Sequence, residues 1–225
     1  MRARVVMHNT VSIDGAVTGF DVDMELHYRV ASRYEAGAVL MGSVTAKSGV
    51  EAFGDASVPE TAGDRKRPAV DPDDDHPLWV IPDSAGALEG ALHHIRRYEH
   101  CKDVIVLTTE RTPAAYLEYL DDREIRHYTL GEERVDLTRA LEMLASEHHV
   151  ETVLTDGGPS LCAALFGRGL VDEVSLIVAP VVVGAGSSSL FRDLTGSVCL
   201  DLARLEKLDR GAIGLRYIVH GEHPE

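Results

Sequence analysis

Thr152-Val153-Leu154-Thr155-Asp156-Gly157-Gly158-Pro159-Ser160-Leu161 reads as a strand, a paired-glycine turn and the start of a helix. The helix is expected from Ser160 to about Arg168, with Gly167 and Gly169 marking its end. Glycines let a backbone approach a ligand closely. The first turn of a helix offers unpaired N–H groups and the positive end of the helix dipole. The segment is therefore an anion site in outline, with a ligand-free strand-to-helix turn as the alternative.

Working outward, short apolar β-branched runs alternate with helical patterns, the signature of an α/β sheet with crossover helices. Strands are expected at Arg4 to His8, Val39 to Met41, Leu78 to Ile81, Val104 to Thr108, Ile125 to Tyr128, Thr152 to Leu154 and Val174 to Val178. Two more, Leu202 to Leu208 and Gly214 to Val219, flank Asp209-Arg210-Gly211-Ala212, a hairpin connection. A helix is predicted from Leu137 to Ser146, with Asp136 as N-cap and Leu137, Ala140, Leu141 and Leu144 on one face. Another spans Met24 to Tyr34. The stretch from Gly54 to Pro77, with Pro59, Pro68, Pro72 and Pro77 among acidic and small residues, reads as a long surface loop. The whole chain, 1–225, is expected to form one domain.

The 225 residues carry 37 Asp and Glu against 22 Lys and Arg, a formal charge of −15, which argues against a general nucleic-acid or anionic-membrane surface. An anionic ligand would need a local patch of N–H groups and basic side chains. Cys101, Cys162 and Cys199 are odd in number and lack metal-ligand spacing, so neither a disulfide framework nor a zinc site is indicated and a reducing cytoplasm fits. No run approaches the ~20 apolar residues of a membrane helix, and the opening apolar run is too short for a signal peptide core.

Three further segments hold candidate chemistry. Leu40-Met41-Gly42-Ser43-Val44-Thr45 is a buried strand leading into a turn whose hydroxyls sit where open α/β sheets bind ligands, although capping alone explains Ser43 and Thr45 equally. Asn9-Thr10-Val11-Ser12-Ile13-Asp14-Gly15 places polar groups directly after the first strand. Val181-Val182-Val183-Gly184-Ala185-Gly186-Ser187-Ser188-Ser189 begins like a dinucleotide fingerprint but has Ser189 at the third glycine, so it reads as a strand-ending loop. Other motifs fail. Asp71, Asp73 and Asp75 mimic a calcium loop, yet His76 and Pro82 replace its glycine and terminal glutamate. The adjacent pairs His93-His94 and His148-His149 place their rings on different helix faces. No metal site is expected, and neither a Gly-x-Ser-x-Gly elbow nor a Walker lysine occurs.

Together these segments resemble the reductase domain of bacterial riboflavin biosynthesis and its archaeal single-domain counterpart, which share the dihydrofolate reductase fold. The resemblance rests on Ser12-Ile13-Asp14-Gly15, on Ala38 to Thr45, and on the block from Val153 to Gly186 with its Asp156-Gly157-Gly158-Pro159-Ser160-Leu161 and Gly169-Leu170-Val171-Asp172-Glu173-Val174. It implies a mostly parallel central sheet with flanking helices and a C-terminal antiparallel hairpin. It also implies a cytoplasmic, homodimeric NADPH-dependent reductase acting on a pyrimidine phosphoribosylamine.

Cofactor contacts are implied at Val11, Gly42, Ser43, Thr45, Ser84, Thr108, Gly157, Gly158, Pro159, Ser160, Leu161 and onward to Ala164. Arg111 is the candidate for a 2′-phosphate. Ser12, His27 and Asp156 are the substrate candidates, with Tyr28 beside His27. Asp14 and Asp156 are the catalytic carboxylates, Glu25 an outsider, and Asp14 is equally readable as a structural acceptor or simple turn. The paired glycines imply a cis peptide between Gly157 and Gly158. The sequence departs from the family pattern at Asp156, where the family has Glu, and at Gly49, where it has Asp. The phosphate-gripping segment expected next has no counterpart in Val50-Glu51-Ala52-Phe53-Gly54, although Arg29, Arg33 and Lys47 could serve a phosphate. A dihydrofolate or dihydropterin reductase is the first alternative, given Asp21-Val22-Asp23-Met24-Glu25. A non-catalytic NADP-binding protein is the second.

Overall fold

The computed structural model of the chain describes residues 1–53, 58–69, 71 and 74–220. It divides into two compact units, Met1–Ala3 with Gly37–Glu151, and Arg4–Ala36 with Thr152–Glu225.

In the first unit, β2 (Ala38–Leu40), β3 (Leu78–Pro82), β4 (Asp103–Thr108) and β5 (Arg126–Thr129) pair in that order, all parallel. Every residue of β4 is buried, as expected of a strand covered on both faces. Four helices accompany them: α2 (Ser43–Phe53), α3 (Leu92–Arg96), α4 (Ala114–Asp121) and α5 (Leu137–Glu147). The α5 spacing works as predicted: Asp136 caps the N–H groups of Thr138 and Arg139, and Leu137, Ala140, Leu141 and Leu144 are buried. Each fully buried leucine contributes about 1.5–3 kcal/mol relative to exposure. A second core joins Met41, Ala46 and Val50 to Ile81, Leu92, Ile95, Val106 and Leu120.

In the second unit, α1 (Met24–Ala31) runs into a 3-10 turn, Ser32–Tyr34, and α6 spans Pro159–Phe166. Its strands pair in the order β6 (Thr152–Thr155), β1 (Arg4–Ser12), β7 (Glu173–Ala179), β9 (Ile213–Val219), β8 (Leu200–Lys207), parallel through β6-β1-β7 and antiparallel through β7-β9-β8. The β8–β9 connection passes through Arg210 and Gly211, both at positive φ, the conformation a tight reversal needs. This is the mostly parallel α/β architecture with a closing antiparallel hairpin that the family resemblance implies.

Four expectations need correction. The first strand does not stop at His8: it continues to Ser12 and is buried from Val5 onward, so the polar run lies inside it, where each group must find a partner. The turn after β2 is shorter than the sequence suggests: it ends at Gly42, and Ser43 to Thr45 already form the first turn of α2. The helices α3 and α4 have no counterpart in the sequence reading; α3 is five residues long and α4 holds two tyrosines on its buried face. The histidine pairs do not diverge on helices either. The His93 and His94 rings lie 3.9 Å apart between centroids, whereas His148 and His149 follow α5, with His149 at positive φ.

Within the 54–77 segment, the described residues form turns and irregular backbone; residues 54–57, 70 and 72–73, including Asp73 of the calcium-like run, lie outside the described residues. Asp74, Asp75 and His76 bring potential ligand atoms within 4.8 Å of one another near the surface, and Asp74 is engaged by the His76 backbone and ring.

Candidate functional site

The end of β1 and the end of β6 together build a polar cluster in the second unit. The two strands run parallel with Met7 opposite Thr155, so Asp156, the next residue of one chain segment, emerges beside His8, Asn9 and Thr10 of the other. Asn9 Nδ2 donates to Asp156 Oδ1 at 3.3 Å and to the Gly157 carbonyl at 3.2 Å. His27, buried on α1, lies with Nδ1 3.0 Å from Thr10 Oγ1. Its Nε2 is 3.3 Å from Asp156 Oδ2, close enough for Coulombic attraction but too poorly aligned to count as a hydrogen bond. Asp156 is the solvent-facing member, its side chain 30% exposed against 4% for His27. A carboxylate at the surface is thus backed by a buried imidazole, an arrangement able to hold or move a proton.

His8 forms the floor. It is fully buried, with Nδ1 2.9 Å from Ser175 Oγ and Nε2 3.2 Å from the His27 carbonyl. Burial, helped by the neighbouring His27, lowers its pKa to about 4.

Beyond Asp156 comes the glycine turn. The peptide between Gly157 and Gly158 is trans, as are all described peptide bonds, which corrects the cis expectation. The requirement for glycine at 157 has another cause: a Cβ there would come within 2.7 Å of Leu161 Cδ2, so its absence seats the Leu161 side chain. Gly158 is the N-cap of α6, at φ −72° and ψ 178°, without a side-chain cap, and Pro159 occupies the first turn. The N–H groups of Ser160 and Leu161 therefore have no cap from the N-cap side chain and precede the first intrahelical acceptors. The first helical turn thus fits a phosphate. Two buried polar atoms beside it, Thr155 Oγ1 and Asn9 Oδ1, have no partner among the described residues. The Ser160 hydroxyl is less available, since it donates to Asp193 at 2.9 Å. Cys162 donates from Sγ to the Gly157 carbonyl, and burial pushes its thiol up to about 12, so it is inert.

The remaining predicted residues are placed as follows. Val11 is buried within β1. Ser12 Oγ donates to Asp14 and accepts from the Ala16 N–H. Asp14 also accepts from the Val183 and Gly184 N–H groups, tying the turn after β1 to the loop after β7. The Ser12 hydroxyl first, then these two N–H groups, hold its pKa at about 2, so it stays ionised and is a poor proton donor near neutrality. Its folded pKa lies below the ordinary 3.8, so the contribution is present above that value and fades as pH falls through about 2. Asp14→Ala is expected to speed amide exchange at Val183 and Gly184 while leaving the β1 amides protected; unchanged exchange at both would refute the anchoring role. Glu25 is exposed beside Arg29, and Tyr28 meets His27 edge-on.

In the first unit, Gly42, Ser43 and Thr45 open α2, and a Cβ on Gly42 would meet nothing within 4 Å. Ser84 lies in a turn braced by the buried Asp83, which accepts from Ala87 N–H, Leu88 N–H and the Tyr116 hydroxyl. Thr108 is turned toward β5, its hydroxyl bonded to the Tyr128 carbonyl. Arg111 is exposed and paired with Glu133 at 2.6 Å. The sequence reading missed His8, and it noted Asn9 and Thr10 only as polar groups after the strand, without a role in the site. The available signal was their polarity within a run otherwise fit for a buried strand.

The fold and this cluster define an α/β protein that carries a carboxylate and imidazole next to a helix N-terminus without a side-chain cap. The chain belongs to the RibD C-terminal domain family, whose pattern matches residues 3–213. It is 29% identical over 147 residues to the riboflavin biosynthesis protein RibD of Chlamydia muridarum, covering 64% of this chain and 38% of that protein. It is 35% identical over 80 residues to the 2,5-diamino-6-ribosylamino-4(3H)-pyrimidinone 5′-phosphate reductase of Archaeoglobus fulgidus, covering 36% of this chain and 35% of the relative. The matches thus span well under half the length of these two relatives. The crystal structure of a pyrimidine reductase-like protein from Corynebacterium diphtheriae superposes with a TM-score of 0.73 at 20% identity, over 98% of this chain and 93% of the other. That likeness concerns the fold alone.

Proposed function

We propose that this chain is an NADPH-dependent reductase of riboflavin biosynthesis, acting on a 5-amino-6-ribosylamino-pyrimidine phosphate or a close analogue. The observation that carries the reading is the Asp156–His27 pair placed directly before the bare N-terminus of α6. The activity for which the archaeal relative is named supports it. NADPH, when bound, supplies a hydride to the C=N carbon of the opened ribosylamine, and a proton reaches its nitrogen. The chain's part is to hold that proton and orient the acceptor. Asp156 faces the substrate, Asn9 fixes its carboxylate, and His27, steadied by Thr10, stands behind it as a proton reserve. Asp14, committed to the 183–184 loop, is read as an anchor rather than a second acid.

The first turn of α6 is proposed to hold a cofactor phosphate through the Ser160 and Leu161 N–H groups. Val11, Gly42, Ser43, Thr45, Ser84, Thr108 and Arg111 are carried as cofactor contacts on the resemblance alone. The reading includes one reductase domain over 1–225, a cytoplasmic setting and a homodimer. Leu202, Leu205, Ile213 and Ile218, exposed on the β8–β9 hairpin, suit a second copy. No helix among the described residues is long and apolar enough to cross a membrane.

The test is loss of NADPH absorbance with the ribosylamino-pyrimidine phosphate and with dihydrofolate, side by side. Turnover of the first and not the second supports the proposal; the reverse selects the pterin reading, and NADPH binding without turnover of either selects a binding protein. Gly158→Trp provides the cofactor arm. The Gly158 backbone is one any residue can adopt, so the variant is expected to fold. Loss of phosphate contacts should weaken NADPH binding by about 10- to 100-fold. An unchanged affinity in the folded variant removes the α6 turn from the cofactor site.

A further inference from the structure

We infer that the second unit carries another anion site, distinct from the Asp156 cluster, selective for a phosphate-class oxyanion. A cavity of about 240 Å³ is lined by Arg4, Arg33, Arg204 and Arg216, with Tyr34 and Ser175 among its other walls. The arginines arrive from four elements: the start of β1, the 3-10 turn after α1, β8 and β9. A chain of net charge −15 that gathers four guanidinium groups around one cavity concentrates positive potential there against its own field.

The internal ion pairs leave that charge only partly cancelled. Buried Glu173 binds both Arg4 and Arg216, the latter through Nε at 2.6 Å and Nη2 at 2.9 Å. Glu206 binds both Arg33 at 2.5 Å and Arg204 at 2.9 Å. Four cations against these two carboxylates leave a formal excess of two positive charges at the cavity, the charge of a phosphate dianion. A guanidinium also has five N–H donors in a planar fork, more than these pairs consume, and such forks match phosphate oxygens. Two ion-pair bridges serving the sheet alone would need one arginine per glutamate. Gly214 contributes the space, since a Cβ there would come within 3.0 Å of Glu206 Cγ and press its carboxylate away from β9.

Position separates this cavity from the proposed catalytic cluster. Arg4 opens β1 opposite Thr152 at the start of β6, whereas Asp156 follows the end of β6. Along β1, Arg4 and Asn9 are about 17 Å apart at the usual strand rise. Buried His8 lies between, bonded on one side to Ser175 of the cavity wall and on the other to the His27 carbonyl. The cavity volume of about 240 Å³ suits a phosphoryl group with a small pendant. Sites for drug-sized ligands run roughly 300–1,000 Å³, so a dinucleotide does not fit.

Calorimetric titration of the full chain at low ionic strength, first with inorganic phosphate and then with ribose 5-phosphate, tests this. A saturable site that persists when the α6 turn is blocked by Gly158→Trp is expected, and tighter binding there of the ester than of free phosphate would identify a phosphate monoester as the ligand. Arg33→Gln and Arg204→Gln, at exposed side chains, should each weaken binding about tenfold. Glu206→Gln, which removes a competing carboxylate, should tighten it, a gain that only folded protein can show. Gly158→Trp should leave it unchanged. Absence of saturable binding overturns the inference. So does binding indifferent to the Arg33, Arg204 and Glu206 changes, which would place the ion at a helix N-terminus instead.

Discussion

Asp156→Asn is expected to lower kcat for reduction of the ribosylamino-pyrimidine phosphate by about 10²- to 10⁴-fold, the usual worth of a positioned proton-transfer group. The substitution keeps shape and burial. Asn9 Nδ2 can still donate to an amide oxygen at the Oδ1 position, so the β1–β6 contact survives, and the half-exposed site demands no new desolvation. What disappears is the negative charge next to His27 Nε2 and the ability to carry a proton toward the acceptor nitrogen. Because the α6 turn is untouched, NADPH affinity should stay within about threefold. Steady-state NADPH oxidation gives kcat, and fluorescence titration gives cofactor affinity. Asp156→Glu separates reach from charge: it restores the residue that the resembling family carries, and it should retain most of the activity if only the charge matters. An Asn variant within threefold of the parent kcat would show that the carboxylate does not take part.

Much of this cluster was legible in sequence, and the missing parts were missing for physical reasons. The β6–turn–α6 segment announces itself because strand, glycines and helix start are local features, each set by neighbours along the chain. The anchors are not local. Asn9 and Asp156 are 147 residues apart and meet only because β1 and β6 pair in parallel, a register that no spacing rule reveals. Polarity at His8, Asn9 and Thr10 looked like the end of a strand, since buried polar groups are costly without partners. The partners turned out to be His27, Ser175 and Gly157. Asp14 shows the converse. Its turn was readable, but its acceptors' use by Val183 and Gly184 depends on a loop 170 residues away. Helices α3 and α4 escaped because their short apolar stretches carry little periodicity, and tertiary packing of Leu92, Ile95 and Tyr116 decides their form.

The parent protein is expected to lose about 3 kcal/mol of stability between pH 6.5 and pH 4 through His8 alone. The sign follows from which state takes the proton. The His8 pKa falls from 6.5 to about 4 in the folded chain, chiefly through burial and next through repulsion by His27, against a smaller opposing pull from Asp156. Unfolded chain therefore binds a proton at His8 where folded chain does not, and stability rises with pH across that interval. The contribution is complete above about pH 6.5 and exhausted near pH 4, and a shift of about 2.5 pH units at 1.36 kcal/mol each sets its size. Against the about 5–15 kcal/mol typical of a domain, that is a large share. Burial also lowers the pKa of His93 and His148, so the total curve is steeper than His8 accounts for, and a variant must isolate it. His8→Gln keeps groups able to bond Ser175 and the His27 carbonyl but cannot titrate. Urea midpoints measured at pH 7.5, 6.5, 5.5 and 4.5 should fall less steeply for His8→Gln than for the parent, with the gap widening toward acid. The carboxylates with lowered pKa, Asp14, Asp64 and Glu60 among them, titrate mainly below this window and are common to both proteins. Parallel curves would mean that His8 titrates in the folded chain as it does in the unfolded one, and the buried floor of the Asp156 cluster would then become a cation below about pH 6.5 rather than stay a neutral ring.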